Sequence, residues 1–194
     1  RGWQETINNY FQVQNKGASP AFGIINSYTN NTGAKNFQQL RFGLASTLLA
    51  NGYFSYDFGD KDHGQLWWFD EYSTFLGQPK SSARILSSVV GGSISAQASV
   101  TPFSEGVWRR DFEKGIIFLN STNSEQVIDL DAEYEKLHGL QDPVTNNGLI
   151  VDRISVPAKD ALILLRPLDE LPSSVFSNGS FVRVFDRDGN VRRN

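Results

Sequence analysis

The chain has 194 residues, of which 39% are hydrophobic and 12% aromatic, enough apolar surface for a packed core and too much for a disordered chain. Its net charge of -3 is spread over 18 basic and 21 acidic residues without long blocks of one sign, which argues against nucleic acid or an anionic membrane as partner. No cysteine is present, so disulfides, thiolate zinc sites and cysteine nucleophiles are excluded, while the compartment stays open. No apolar run approaches the ~20 residues of a membrane span. The chain begins at Arg1, without methionine or a signal peptide, and this start is expected to differ from that of a primary translation product.

Trp3, Ile7, Tyr10 and Phe11 recur along one face of an amphipathic helix that Gly17 is placed to end. Pro20 then opens an apolar run over residues 21–25, expected to be a strand buried on both faces and to end at Asn26. A second helix is predicted from the N-cap Asn36, with Phe37, Leu40, Leu44 and Leu48 as its apolar stripe and Asn51-Gly52 as its stop. Residues 53–56 read as another short buried strand, with Asp57 beginning the next loop. The α-β-α-β order with short connections implies parallel strands and crossover helices. A closed eight-stranded barrel needs at least ~200 residues. Two strands are therefore expected to be its last units, packed on chain upstream of Arg1.

From residue 81 to 105 the composition turns to Ser, Ala and Gly, as in a linker or long loop. Seven short β-like runs follow, at 107–110, 115–119, 126–130, 133–137, 149–151, 153–156 and 161–165, separated by turn residues. Such spacing predicts an antiparallel sandwich. Near the end, FVRVF (181–185) and the Asp186–Gly189 turn signal a hairpin. The expected fold class is thus α/β followed by all-β. Residues 1–80 form the C-terminal part of a TIM-type β/α barrel, 81–105 a linker, 106–167 a β-sandwich, and 168–194 a linker with a terminal hairpin.

Three stretches, RFGLASTLLANGYFSYDFG (41–59), HGQLWWFDEYSTFLGQPK (63–80) and GVWRRDFEKGIIFLN (106–120), resemble a family of bacterial hypothetical glycosyl hydrolase-like proteins with a predicted barrel. The run ISVPAKDALILLRP (154–167) is similar to the closing strands of sandwiches that follow many glycosidase barrels. The tail NGSFVRVFDRDGNVR (178–192) resembles the opening strands of an integrin-like propeller blade. Together these imply the C-terminal part of a secreted or cell-surface protein that acts on or binds polysaccharide or oligosaccharide, without a cofactor.

Cleavage of a glycosidic bond typically needs two carboxyl groups flanking it, and in a barrel these stand at the C-terminal ends of strands. Asp57 is the carboxylate that this rule selects; capping the following loop is its structural alternative. Asp70 and Glu71 in WWFDEY are further catalytic candidates, although adjacent residues on a helix point about 100° apart, so both are not expected to serve one bond. Asn26, Tyr28 and His63 are candidates for bonding sugar hydroxyls, against a reading as ordinary loop residues. Trp67 or Trp68 is a candidate platform for a sugar ring, against closure of the core by Trp68 and Tyr72.

The two histidines, His63 and His138, lie too far apart in sequence to suggest a metal site. Asp57, Asp60 and Asp62 lack the spacing and closing glutamate of an EF-hand loop. No metal is therefore assigned. Arg109, Arg110, Asp111 and Glu113 read as a solvated or inter-domain salt-bridge face. Asn30, Asn120 and Asn178 begin glycosylation sequons. The preferred reading is a hydrolase of which this chain supplies one wall of the sugar cleft, the chain alone being inactive. The alternatives are a non-catalytic surface or matrix scaffold, or a free-standing carbohydrate-binding module, against which the α-β-α-β start speaks.

Overall fold

The computed structural model describes residues 2–18, 21–86 and 104–167. The expected terminal hairpin and most of the expected linker lie outside these residues. In chain order the elements are α1 (Trp3–Lys16), β1 (Ile24–Tyr28), α2 (Phe37–Leu48), β2 (Tyr53–Asp57), a 3-10 turn (Asp70–Ser73), β3 (Arg84–Leu86), β4 (Val107–Asp111), β5 (Gly115–Asn120), β6 (Gln126–Lys136), β7 (Ile150–Val156) and β8 (Asp160–Leu165).

Both helices form where the apolar spacing places them. In α1, Ile7 and Tyr10 are buried, and the Tyr10 hydroxyl donates to the Thr47 carbonyl (3.0 Å) while accepting from the Gly52 N–H (2.6 Å). The start of α2 is capped by Asn36, whose Oδ1 accepts from the Gln39 N–H at 3.0 Å. Asn36→Ala is expected to cost about 1 kcal/mol, as a lost N-cap does; a denaturation midpoint equal to that of the parent would show the cap to be idle.

β1 and β2 pair in parallel, Ile24 against Tyr53 and Tyr28 against Asp57, as the crossover order predicts. The strands are not buried on both faces. Ile24, Asn26 and Tyr28 of β1 are exposed while Ile25 and Ser27 between them are partly covered, because α2 packs on one face only. β1 also begins three residues later than expected and runs past Asn26 to Tyr28. Gly43 lets α2 approach: a Cβ there would lie 2.3 Å from Ser27 Oγ and 2.6 Å from the Phe54 ring.

The expected barrel segment and two-sheet sandwich are both overturned. Among the described residues the parallel sheet has two strands, and a single antiparallel sheet runs in the order β3-β4-β5-β8-β6-β7. Two features explain the difference. First, the pairs of runs expected at 126–130 with 133–137, and at 149–151 with 153–156, each fuse into one strand. The long β6 pairs with β7 from Gln126 to Asp129, shifts register between Asp129 and Tyr134, and pairs with β8 at Glu135 and Lys136. A shift of this kind bends a strand and increases its twist, so the sheet curls into a half-barrel. Second, the elements from α1 to β2 pack on this chain: α2 lies between the parallel pair and the β5–β8 face, with Ala45 and Leu49 in one cluster with Ile117, Leu119 and Ile163.

β5 is consequently buried along its whole length. Ile117 and Leu119 face the helices, and Ile116 and Phe118 face the inside of the curl with Ile128, Tyr134, Ile154 and Leu162. Residues 84–86, expected within a linker, add an edge strand to β4. The charged stretch at 109–111 is not solvated, since Arg109, Arg110 and Asp111 are all buried. Arg109 bonds Asp111 and Asp131. Arg110 donates to the carbonyls of Leu48, Ala50 and Ser81 and to Asn51 Oδ1, closing the C-terminal end of α2, where free carbonyls and the helix dipole favour a cation.

Candidate functional site

Parallel pairing brings the C-terminal ends of β1 and β2 together, so Tyr28 stands opposite Asp57. Asp57 is not a cap. Its residue exposure is 5%, and its Oδ2 meets the His63 ring at Nδ1 (2.7 Å) and accepts from Asn26 Nδ2 (3.3 Å). Its Oδ1 is buried with no hydrogen-bond partner among the described residues. Leaving a buried acceptor unmet is costly, so this oxygen is the most demanding polar atom of the group.

The loop that carries His63 is tied down on both sides. Phe58 N–H donates to Gln65 Oε1 (2.8 Å), Gln65 Nε2 to Asp62 Oδ2 (2.6 Å), Gly64 N–H to Asp62 Oδ1 (2.8 Å) and Lys61 N–H to Asn31 Oδ1 (3.1 Å). Asn31 Nδ2 donates in turn to Asp60. Asp60 and Asp62 are thus engaged in holding the loop, and no group of three or more His, Cys, Asp or Glu residues is arranged for a metal among the described residues.

The imidazole stays open to solvent, its side chain 64% exposed. The hydrogen bond and charge of Asp57 raise its pKa above 6.5, with smaller contributions from Asp62 and Asp60. A histidine raised in the folded state stabilises the fold fully below its unfolded pKa. That contribution fades as pH climbs from 6.5 through the raised value.

The WWFDEY segment forms a second group. Trp67 is half-buried against Tyr56 (ring centroids 6.1 Å), with Lys35 Nζ 5.1 Å above its ring. Phe69, not Trp68, is the residue fully buried here. Trp68 is 65% exposed, which removes it from the core; its indole N–H donates to Ser73 Oγ (3.0 Å) and its ring stands edge-on to Tyr72. The 3-10 turn sends its two carboxylates apart. Asp70 Oδ2 accepts from the N–H groups of Leu140 (2.7 Å) and Gln141 (2.8 Å) and pins the loop before β7. Glu71, 4% exposed, accepts from Asn146 Nδ2 (2.9 Å) and borders a cleft of about 630 Å³ together with Trp68, Phe54, Tyr72, Phe75 and Glu113. Burial, with the charge of Glu71 adding, pushes the Tyr72 phenol up to about 12.

The sequence-derived residues therefore fall into two sets. Asn26, Asp57 and His63 meet at the strand ends beside Tyr28, whereas Trp68 and Glu71 share the cleft; Trp67 and Asp70 are occupied in packing and in loop anchoring. The residues that sequence reasoning missed are those that hold these sets in place. Arg41, 5% exposed, forms a bidentate pair with Asp160 (2.9 Å for each bond) and a further ion pair with Asp142. The signal for it was a charge next to Leu40 and one turn after Phe37, on the buried side of a helix. The loop ties made by Asn31 and Gln65 had no such signal.

A family model described as hypothetical glycosyl hydrolase family 15 matches residues 1–116, which contain α1 to β4 and every residue of both sets. The chain belongs to this glycosyl hydrolase-like family. No curated protein and no solved structure matches it.

Proposed function

We propose that this chain is the carbohydrate-handling part of a glycosyl hydrolase-like protein that acts on or binds polysaccharide or oligosaccharide, and that the strand-end group of Asn26, Tyr28, Asp57 and His63 contacts the sugar. The observation that carries the reading is Asp57 itself: a carboxylate 5% exposed, held by Asn26 and His63, with Oδ1 unpaired among the described residues. A sugar hydroxyl is a donor of the kind that oxygen requires. An exposed tyrosine at the paired position, Tyr28, offers an aromatic surface to a pyranose ring. With a polymeric sugar as target, the location we propose is outside the cell or on its surface.

A binding role without cleavage is the second reading, and one observation favours it. Glycoside hydrolysis typically uses a pair of carboxyls, while Glu71 is bonded to Asn146 in the cleft and Asp70 is bonded to backbone. Asp57→Asn in the full-length protein separates these readings from a structural role. The substitution keeps the shape and an acceptor for His63, so folding stability is expected to change by less than about 1 kcal/mol. Saccharide affinity or turnover should fall at least about tenfold, or 1.4 kcal/mol. A lowered melting temperature with unchanged saccharide handling would reduce Asp57 to a structural residue. Loss of binding by a protein that never cleaved sugar would favour the scaffold reading.

A further inference from the structure

Within that strand-end group, and resting on the saccharide reading above, we infer that His63 is the residue that carries a proton to and from the substrate, with Asp57 as its positioning residue. A carboxylate can only accept, so the 2.7 Å contact between Asp57 Oδ2 and His63 Nδ1 places the ring proton on Nδ1. The neutral imidazole then presents its lone pair at Nε2. No hydrogen bond joins Nε2 to a described residue, and the side chain is 64% exposed while its carboxylate partner is 7% exposed.

A buried acid fixing the tautomer of an accessible imidazole is the arrangement that general acid–base catalysis uses. Asn26 holds the carboxylate from β1, and the Asp62–Gln65 and Asn31–Lys61 ties hold the loop from both ends. The charged groups facing the ring are Asp57 on β2 and Asp60 and Asp62 on the loop, all acidic. Each raises its pKa, which favours the proton-donating form.

In a hydrolytic step the imidazolium gives its Nε2 proton to the departing sugar oxygen as the C–O bond breaks. The water whose oxygen joins the carbon returns one proton to Nε2. One water is consumed and His63 is restored, so Asp57 need not itself release or take up the proton.

With two histidines in the chain, diethyl pyrocarbonate and peptide mass spectrometry read each one separately in the full-length protein. Between about pH 5 and 9, the rate of His63 modification should show a midpoint above 6.5, and Asp57→Asn should move that midpoint down while leaving His138 unchanged. A midpoint insensitive to Asp57→Asn overturns the dyad. The second arm measures new reducing ends from soluble α-glucan, β-glucan and β-linked N-acetylglucosamine oligosaccharides. His63→Gln should lower the rate at least tenfold and remove the pH limb belonging to the imidazole, with the melting temperature unchanged. A variant that keeps rate and pH profile, or a parent protein that cleaves none of these sugars, overturns the proton-carrying role. Failure of the parent to bind any of them, read by calorimetry, instead overturns the saccharide reading on which it rests.

Discussion

Replacing Arg41 by methionine is expected to destabilise the protein by about 3–5 kcal/mol, because it strands a buried carboxylate. The guanidinium joins α2 to the first residue of β8 through both oxygens of Asp160, at 2.9 Å each, and to the loop before β7 through Asp142. Arg41 and Asp160 are 5% and 3% exposed. Burial lifts the Asp160 carboxyl above its ordinary pKa even with the pull of Arg41 beside it, a sign of how dry the site is. Methionine keeps the apolar stem and removes the charge, so the loss measured by urea denaturation reports the ion pair more than the packing. Combining Arg41→Met with Asp160→Asn should recover part of the loss, since the stranded charge in the driest part of the contact is then removed and only the more exposed Asp142 is left unpaired. A single-variant loss below about 1 kcal/mol, the size of an exposed pair, would mean that water reaches this contact.

Phe118→Ala is expected to cost a similar amount, about 3–5 kcal/mol, as deletion of a buried phenylalanine does. The ring is fully buried inside the curl of the antiparallel sheet, among Ile128, Tyr134, Ile154 and Leu162, with the Arg109 guanidinium 5.6 Å from its centre. The surrounding strands are tied to each other at fixed register, and β5 is held on both sides by β4 and β8, so the cavity has little means of closing. The measurement is again the denaturation midpoint and slope. A loss under about 1 kcal/mol would show an open, solvated concave face, and with it a flat sheet instead of a curled one.

Local signals in the sequence carried the helices well. The stripe Leu40–Leu44–Leu48 and the Asn36 cap placed α2 within its observed bounds, because a helix writes its period and its start into neighbouring residues. Parallel pairing of β1 and β2 followed from chain order. What chain order could not convey was the number of strands in each sheet. Two runs broken at Asp131-Ala132 look like two strands, yet Asp131 Oδ1 accepts from the Tyr134 hydroxyl and its other oxygen from Arg109, which lets one strand bend through the break. Charge patterning at 109–111 left two readings open, and of these the salt-bridged one holds, with neutralising partners from β3 and β6. Asn120 gave a glycosylation sequon but is fully buried, its amide nitrogen 2.8–3.0 Å from the carbonyls of Ser124, Val156 and Pro157. At the candidate site, the strand-end rule selected Asp57 and the loop composition selected His63. Their direct contact was invisible, because it depends on the path of a loop anchored by side chains from β1's own following turn.

The position of α2 has a mechanical consequence. One face of the helix is fitted to the parallel pair through Gly43, and another is bolted to the antiparallel sheet through Arg41. The strands bearing Asn26 and Asp57 are therefore not a separate flap resting on a platform. They take their stiffness from the larger sheet, and strain applied at β8 reaches the Asp57 carboxylate through a helix only three turns long.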